Sequence, residues 1–567
     1  MLQKTFKPYE KKYWALVFLV ATYLFINTAW VSEDAFITFR VVENLLDGHG
    51  PVYNLGERVQ VYTHPLWFFL LVAGRALGLD LYYFSLGLSY VIFIASLGLF
   101  LGLAQRRQVP LPLTLALLLL ASLSRSFIDY ASSGLENGLL VLEYLLFIGI
   151  VSDEALPLRR KYFGALLLYG LIFLTRPDGV VLLTPALLPL LIQTVRGEKG
   201  WLSLGFLALY PFILWEIFSL FYYGSPTPNT ALAKLNIDYP REILVLNGLD
   251  YLFANYSFDA VTSTVLYLGL LAGLCRRGSR LLALGLLLYL VYVVMIGADY
   301  MAGRFFSAPF LVALLLLAWT LGPLNWSRFA ALGRFQYREA LLVLLAVATG
   351  WYSDNYHWSG NKDYRSKVPR FFYGTLGISD ERFWYIDSTG LLAVLLEHNG
   401  SYLRHGRLQA DFSQINDSIL FACDIGLFGY VLNRNNHIID PMALSEPFLA
   451  RLPARRSRTR IGHYERAFPP GYALSLAQGQ NLLASPKLHQ LYDDVQQVTR
   501  GPLLSGKRFG AIWRLNSGHY KNLDQEFDRN DVNLREIGFN TGEPNHLNCL
   551  GNGQRILLPK PLSRNTP

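Results

Sequence analysis

The sequence predicts a polytopic α-helical membrane protein carrying a C-terminal mixed α/β soluble domain, and three observations predict it. The 567-residue chain is 52% hydrophobic and only 16% charged, with a mean hydropathy of +0.29, whereas soluble domains carry about 25% charged residues. Apolar runs recur between small basic clusters as far as about Trp351. From Ser353 to Pro567 no run is long enough to span a bilayer, and charges, Asn and turn residues become frequent. The net charge of +9 does not point to nucleic acid, because the cations fall between apolar runs as the positive-inside rule expects.

The elements follow in order. Lys4, Lys7, Lys11 and Lys12 precede the first apolar run, Tyr13 to Trp30, and place the N-terminus in the cytoplasm. The run lacks a small-residue cleavage site, so it reads as a retained span rather than a removed signal. Later basic clusters are Arg106/Arg107, Arg159/Arg160/Lys161, Arg196/Lys199, Arg276/Arg277/Arg280 and Arg328/Arg334/Arg338. All face the cytoplasm only if HPLWFFLLVAGRALGL, from His64, stays on the outer surface as a juxtamembrane helix. It is short and interrupted by Arg75, which suits that placement. Spans then fall near 13–31, 82–104, 110–126, 136–151, 162–176, 179–195, 201–222, 259–275, 280–297, 305–321 and 339–352, about eleven in all. The expected domains are 1–352 in the membrane and 353–567 outside the cytoplasm, the latter probing an acceptor or carbohydrate.

In the second domain SILFACDIGLFGYVL and HIID read as short buried strands with helices between them. The last dozen residues, around LLPKPLSRNTP, read as a loose tail, and the basic run from Arg451 to Arg460 as a solvated face or one turned to membrane lipid or an acidic acceptor. Cys423 and Cys549 share this domain, where a bridge is permitted, although Cys423 also fits as a small buried residue. No Cys/His spacing suggests a metal site.

The outward loops hold the chemistry. Glu33 and Asp34 open EDAFITFRVVENLLDGHG directly after the first span. Ser32 reads as the N-cap of an interfacial helix that Gly48 ends. Ala35, Phe39, Val42 and Leu46 form its apolar stripe, opposite Arg40, Glu43, Asn44 and Asp47. First-turn acids also suit the helix dipole without any catalytic role, but ionisable groups at a membrane mouth are costly and usually functional. SSGLEN places Glu136 at the outer start of a span; LTRPDG holds Arg176 and Asp178 in a tight turn. The loop FYYGSPTPNTALAKL offers Asn229 and Lys234, and GADYMAGRFF offers Asp299 and Arg304. Arg and Lys together suit a phosphate, Arg by its fork and Lys as a point charge.

These segments resemble a family. EDAFITFR, GHG, NLGERVQ, YTHPLW, LTRPDG, SPTPNTALAK, GADYMAGRFF and ACDIGLFGY…HIID…GHYERAFPPGY are similar to those of GT-C glycosyltransferases using polyprenyl-phosphate sugars, terminal arabinofuranosyltransferases of the AftB type above all. Pilin arabinosyltransferases are similar in kind. The resemblance covers most of the chain, most specifically residues 33–67 and 299–306. The family commonly begins its motif Asp-Asp, whereas Glu33 stands first here, so Asp34 becomes the expected essential carboxylate.

The resemblance implies an inverting transfer of a sugar, D-arabinofuranose by expectation, from a polyprenyl-phosphate donor. The reaction would lie on the periplasmic face of the bacterial inner membrane, with a glycan or protein such as pilin as acceptor. Asp34 is the expected general base with Glu33 supporting it; Arg304, Lys234 and Arg176 are the expected phosphate contacts. His64, Glu136, Asp178, Asn229 and Asp299 are the expected substrate contacts. Some relatives hold a divalent cation near the first-loop acids, so Mg²⁺ or Mn²⁺ is a candidate cofactor. A lipid-linked glycan transporter or flippase would show internal repeats and broken helices, which the sequence lacks. An O-antigen-type ligase would lack the first-loop acids as its organising feature.

Overall fold

The computed structural model describes residues 8–195, 200–323, 377–402, 417–423, 425–455, 462–528 and 556–559. The expected span 339–352, the boundary at 352, the cations Lys4, Lys7, Arg196, Lys199, Arg328, Arg334 and Arg338, Cys549 and the end of the Arg451–Arg460 run lie outside the described residues. Two compact units emerge, each discontinuous in sequence: residues 1–32, 82–211 and 244–402, and residues 33–81, 212–243 and 403–567.

Every expected span up to residue 321 contains a helix. Among the described residues four helices are long and apolar enough to cross a bilayer, or six if two bent pairs each count as one span. The protein is therefore a polytopic helical membrane protein. One of those pairs corrects the expected span 110–126: the helix stops at Ser122 and a second, Arg125–Ala131, leaves at 73°. The cause is local, since Ser124 turns out of the helix and its side-chain oxygen accepts from Phe127 N at 3.0 Å. The second pair, Arg241–Phe258 and Ala260–Cys275, bends by 116°. Asp259 sits at that bend and caps Thr262 N at 3.0 Å.

At the centre of the first unit, Ser307–Leu321 is buried from Ser307 through Trp319. Between helices in lipid, small residues let backbones approach and gain dispersion contact. Gly269 does this: a Cβ there would come within 2.5 Å of the Ala313 carbonyl. Buried charge is paired in the same unit. Arg125 donates to Asp380 at 2.7 Å and Arg382 to Asp129 at 2.9 Å. Both partners of these bridges tie in the Glu381–Thr389 helix and its cap.

The second unit contains a three-stranded sheet: β1 (Ser418–Phe421), β2 (His437–Ile439) and β3 (Ile556–Pro559), in the order β2-β1-β3. β1 runs parallel to β2, in the register Ile419↔His437, and antiparallel to β3. SILF and HII form strands as expected, but the second half of SILFACDIGLFGYVL is corrected: Leu427–Val431 is a short helix. The expected tail is corrected at its start: Ile556–Pro559 pairs with β1, Pro559 lying opposite Ser418 at the strand's end, where a missing N–H is tolerated. Behind the sheet Phe448 stacks on Tyr472 at 5.0 Å and meets Tyr492 edge-on at 5.5 Å. Cys423 is disulfide-bonded, while Cys275 is a free thiol.

Candidate functional site

The first-loop helix spans Glu33–Leu46 with both acids in its first turn, and Gly48 follows at φ 86°. Ser32 directly precedes the helix and donates its hydroxyl to Glu381 Oε1 at 2.8 Å. One expectation about the helix changes: its polar stripe is not wet throughout, since Arg40, Glu43 and Asn44 are buried together with Ala35, Phe39 and Val42, and only Leu46 and Asp47 at its end are exposed. Burial is met by bonding the polar groups to backbone. Arg40 Nε donates to the Tyr53 carbonyl at 2.9 Å, and its Nη atoms donate to the Gly429, Leu432 and Asn436 carbonyls. Desolvation lowers the Arg40 pKa, partly offset by Tyr53, whose ring lies 4.9 Å away. Asn44 reaches the Val52 and Tyr53 carbonyls at 2.8 and 3.1 Å.

Glu33 and Asp34 are half-buried. Glu33 Oε1 accepts from Gly426 N and from Leu427 N, the start of the Leu427–Val431 helix. The glycine is required, because a Cβ at Gly426 would stand 2.5 Å from the Glu33 carboxylate carbon. Gly429 plays the same part against Tyr53, whose hydroxyl donates to the Ile425 carbonyl. ACDIGLFGY thus encodes a surface shaped to the first-loop helix.

The other motif residues of this unit also bond within it. His64 stands at the N-cap of Pro65–Ala76, a 12-residue helix too short to cross, and shares a 2.9 Å hydrogen bond with Thr38. Asn229 donates to the Ala443 and Leu444 carbonyls at 2.8 and 3.0 Å. Lys234, half-buried, lies in the last turn of Asn229–Leu235. In NLGERVQ, Asn54 exchanges hydrogen bonds of 2.9 and 3.0 Å with Ile438 of β2. Arg58 donates to the Val498 carbonyl at 3.1 Å. Between them Glu57 meets Arg500 at 3.4 Å, with His437 and Glu446 close by. Burial raises the Glu57 pKa against the pull of Arg500, and pushes Glu446 up to about 7 against its bond from Tyr472.

The first unit gathers the remaining five expected residues. Arg176 donates to Asp178 at 3.0 and 3.2 Å and reaches Glu136 Oε1 at 3.5 Å. Arg304 approaches the same Glu136 oxygen at 3.5 Å and Asp299 at 3.8 Å. Two guanidiniums therefore converge on one buried carboxylate. Gly303 at φ 79° turns the chain into Arg304, and Asn137 holds the Arg304 carbonyl at 3.1 Å and Ser307 Oγ at 2.9 Å. Asn137 and Tyr289, which donates to Asp178 at 3.3 Å, are positioning residues the sequence reading passed over. The first sits inside the SSGLEN motif itself, so a signal for it was there. The same unit contains an apolar cavity of about 220 Å³ lined by Val17, Ala21, Leu24, Leu97, Leu118 and Phe127.

No protein-family model matches the chain. Over 530 residues it is 27% identical to the terminal β-(1→2)-arabinofuranosyltransferase of Mycobacterium tuberculosis, covering 78% of this chain and 81% of that protein. It is 30% identical over 337 residues to the protein of the same name from Corynebacterium glutamicum, covering 50% of this chain and 47% of that one. Among solved structures, ArnT from Cupriavidus metallidurans bound to undecaprenyl phosphate aligns at a TM-score of 0.40 and 12% identity, covering 74% of this chain and 77% of that one. In sequence the chain is similar to enzymes of the glycosyltransferase class, and its helices are those of a membrane protein. More narrowly, it is similar to the terminal arabinofuranosyltransferases of the AftB type, as its motifs predict.

Proposed function

We propose that the chain is an inverting glycosyltransferase of GT-C architecture, with about eleven spans, that moves D-arabinofuranose from a polyprenyl-phosphate donor to a glycan or protein acceptor. The reading places the active side and residues 353–567 in the periplasm, the latter binding the acceptor. The observation that carries it is the similarity over 530 residues to a relative named for this transfer. The residue chemistry supports the same reaction.

Asp34 takes the proton of the acceptor hydroxyl as that oxygen attacks the anomeric carbon. The bond from this carbon to the phosphate oxygen breaks, and the lipid phosphate leaves with the electron pair. Arg304, Lys234 and Arg176 stabilise the charge that builds there. Glu33 is the weaker candidate for base, since one of its oxygens already accepts two backbone N–H groups; its part is to hold the helix that carries Asp34. Glu136, Asp178 and Asp299 keep the two guanidiniums in place and, with His64 and Asn229, stand as the candidate contacts for sugar hydroxyls. An isoprenoid chain suits the apolar cavity of the first unit.

The test is turnover of synthetic polyprenyl-phospho-arabinofuranose by the purified protein against a panel of glycan and pilin acceptors, donor hydrolysis being followed as well. Transfer or acceptor-dependent donor loss is expected. Absence of both binding and turnover across several polyprenyl-phosphate sugars would replace this reading with that of a transporter.

A further inference from the structure

Three side chains from distant parts of the sequence meet in the second unit. Glu57 comes from the NLGERVQ loop, His437 from β2 and Glu446 from the loop beyond it. His437 Nε2 lies 4.0 Å from Glu57 Oε2 and 3.5 Å from Glu446 Oε1. The three nearest atoms all fall within 4.8 Å of one another. Glu57 and Glu446 are each only 3% exposed.

The outer oxygen of each carboxylate is already held. Arg500 donates to Glu57 Oε1, and the Tyr472 hydroxyl donates to Glu446 Oε2. The inner oxygens, Glu57 Oε2 and Glu446 Oε1, accept no hydrogen bond among the described residues. Two buried carboxylates thus turn their unused oxygens toward each other and toward an imidazole nitrogen. Buried acceptors without donors are costly, and two like charges this close repel. A cation between them removes both penalties at once.

We propose that Glu57, His437 and Glu446 form a binding site for a divalent transition-metal ion of the Zn²⁺ or Mn²⁺ class. One imidazole and two carboxylates suit such ions better than Mg²⁺, which favours oxygen alone. Ligand bonds of about 2.0–2.2 Å set neighbouring ligand atoms roughly 3.0–3.6 Å apart; the 3.5 Å from His437 to Glu446 falls in that range, and the 4.0 Å to Glu57 closes to it by a small side-chain shift. Arg500 and Tyr472 supply the outer hydrogen bonds that fix ligating carboxylates. The site uses neither Glu33 nor Asp34 and does not depend on the sugar transferred. It fastens the NLGERVQ loop to the sheet, beside the Asn54–Ile438 hydrogen bonds.

The test uses the full chain purified in detergent without chelator. Its metal content is measured by inductively coupled plasma mass spectrometry. Thermal unfolding is then followed after EDTA stripping and after adding back ZnCl₂ or MnCl₂ alone. About one equivalent of bound metal is expected, with a melting temperature that falls on stripping and recovers on addition. The double variant His437→Gln/Glu446→Gln should lose both the metal and the response. Wild-type protein that carries no metal and shows no thermal response to either ion would overturn the site, leaving a protonated imidazole bridging two carboxylates. Metal fully retained by a folded double variant would overturn it equally. Because the wild-type measurements stand alone, misfolding of the variant leaves the result decisive.

Discussion

Two clusters, one in each unit, hold their charge in different ways. In the first unit charged side chains meet one another: Arg176 and Arg304 share Glu136, Arg125 holds Asp380, and Arg382 holds Asp129. On the first-loop helix of the second unit Glu43 also pairs with Arg75, but Arg40 and Glu33 meet backbone: Arg40 bonds four carbonyls and Glu33 bonds two N–H groups. An ion pair in the first unit fixes side chains relative to each other, as a constellation binding a charged group requires. A charge bonded to backbone in the second fixes loops, as a helix presenting one catalytic side chain requires. Removing a member should therefore do different damage in each unit.

The largest loss is expected at Glu136→Ala, which leaves two buried guanidiniums sharing fewer anions. Stability measured by thermal unfolding in detergent should drop by ~3–5 kcal/mol, and a loss below ~1 kcal/mol would show that the pairing contributes little. Glu33→Ala should cost less, ~1–3 kcal/mol, because it orphans N–H groups rather than a charge. Gly426→Ala should cost a similar ~1–3 kcal/mol by overpacking against the Glu33 carboxylate. In a double-mutant cycle the two changes should be strongly non-additive, as expected for residues in contact. Additive losses would separate Glu33 from the Gly426 turn.

The smallest effect is a pH dependence. Burial raises the Asp440 pKa to about 7, against hydrogen bonds from Met442 N and Leu444 N. A folded-state acid pKa above its unfolded value of 3.8 means that the folded state binds the extra proton. Its contribution is complete below about pH 4 and is lost as pH rises through about 7. Melting temperature should accordingly be higher at pH 5.5 than at pH 8, and Asp440→Asn should reduce the difference by this contribution, leaving that of Glu446. An unchanged pH profile in Asp440→Asn would mean that this carboxyl carries no such linkage.

Much of the helical unit was legible because each helix announces itself by a continuous apolar run, and small basic clusters mark the turns between runs. The break at Ser124 was legible too, as a serine before Arg125–Ala131, but an apolar run hides a cap that hydropathy does not weigh. The second unit was harder for a physical reason. The helical stripe of Arg40, Glu43 and Asn44 reads as a wet face, yet an acceptor for Arg40 lies 389 residues away. β3 pairs with a strand far back in the chain, so LLP shows no local strand signal. For the same reason Glu57, His437 and Glu446 form no motif. The pair Glu33 and Asp34 stood out in the sequence, and the resemblance already favoured Asp34; what no local pattern reveals is that Glu33 accepts from Gly426 N and Leu427 N.

The central claim is that Asp34 is the base and Glu33 its support, and donor turnover in Asp34→Asn beside Glu33→Gln tests it most directly. With polyprenyl-phospho-arabinofuranose and a productive acceptor, Asp34→Asn should lose about 10²–10⁴-fold in kcat with donor binding retained. Glu33→Gln, which keeps an oxygen to accept the Gly426 and Leu427 N–H groups, should retain most of its activity. Full activity in Asp34→Asn together with a collapse in Glu33→Gln would contradict the account and move the base to Glu33.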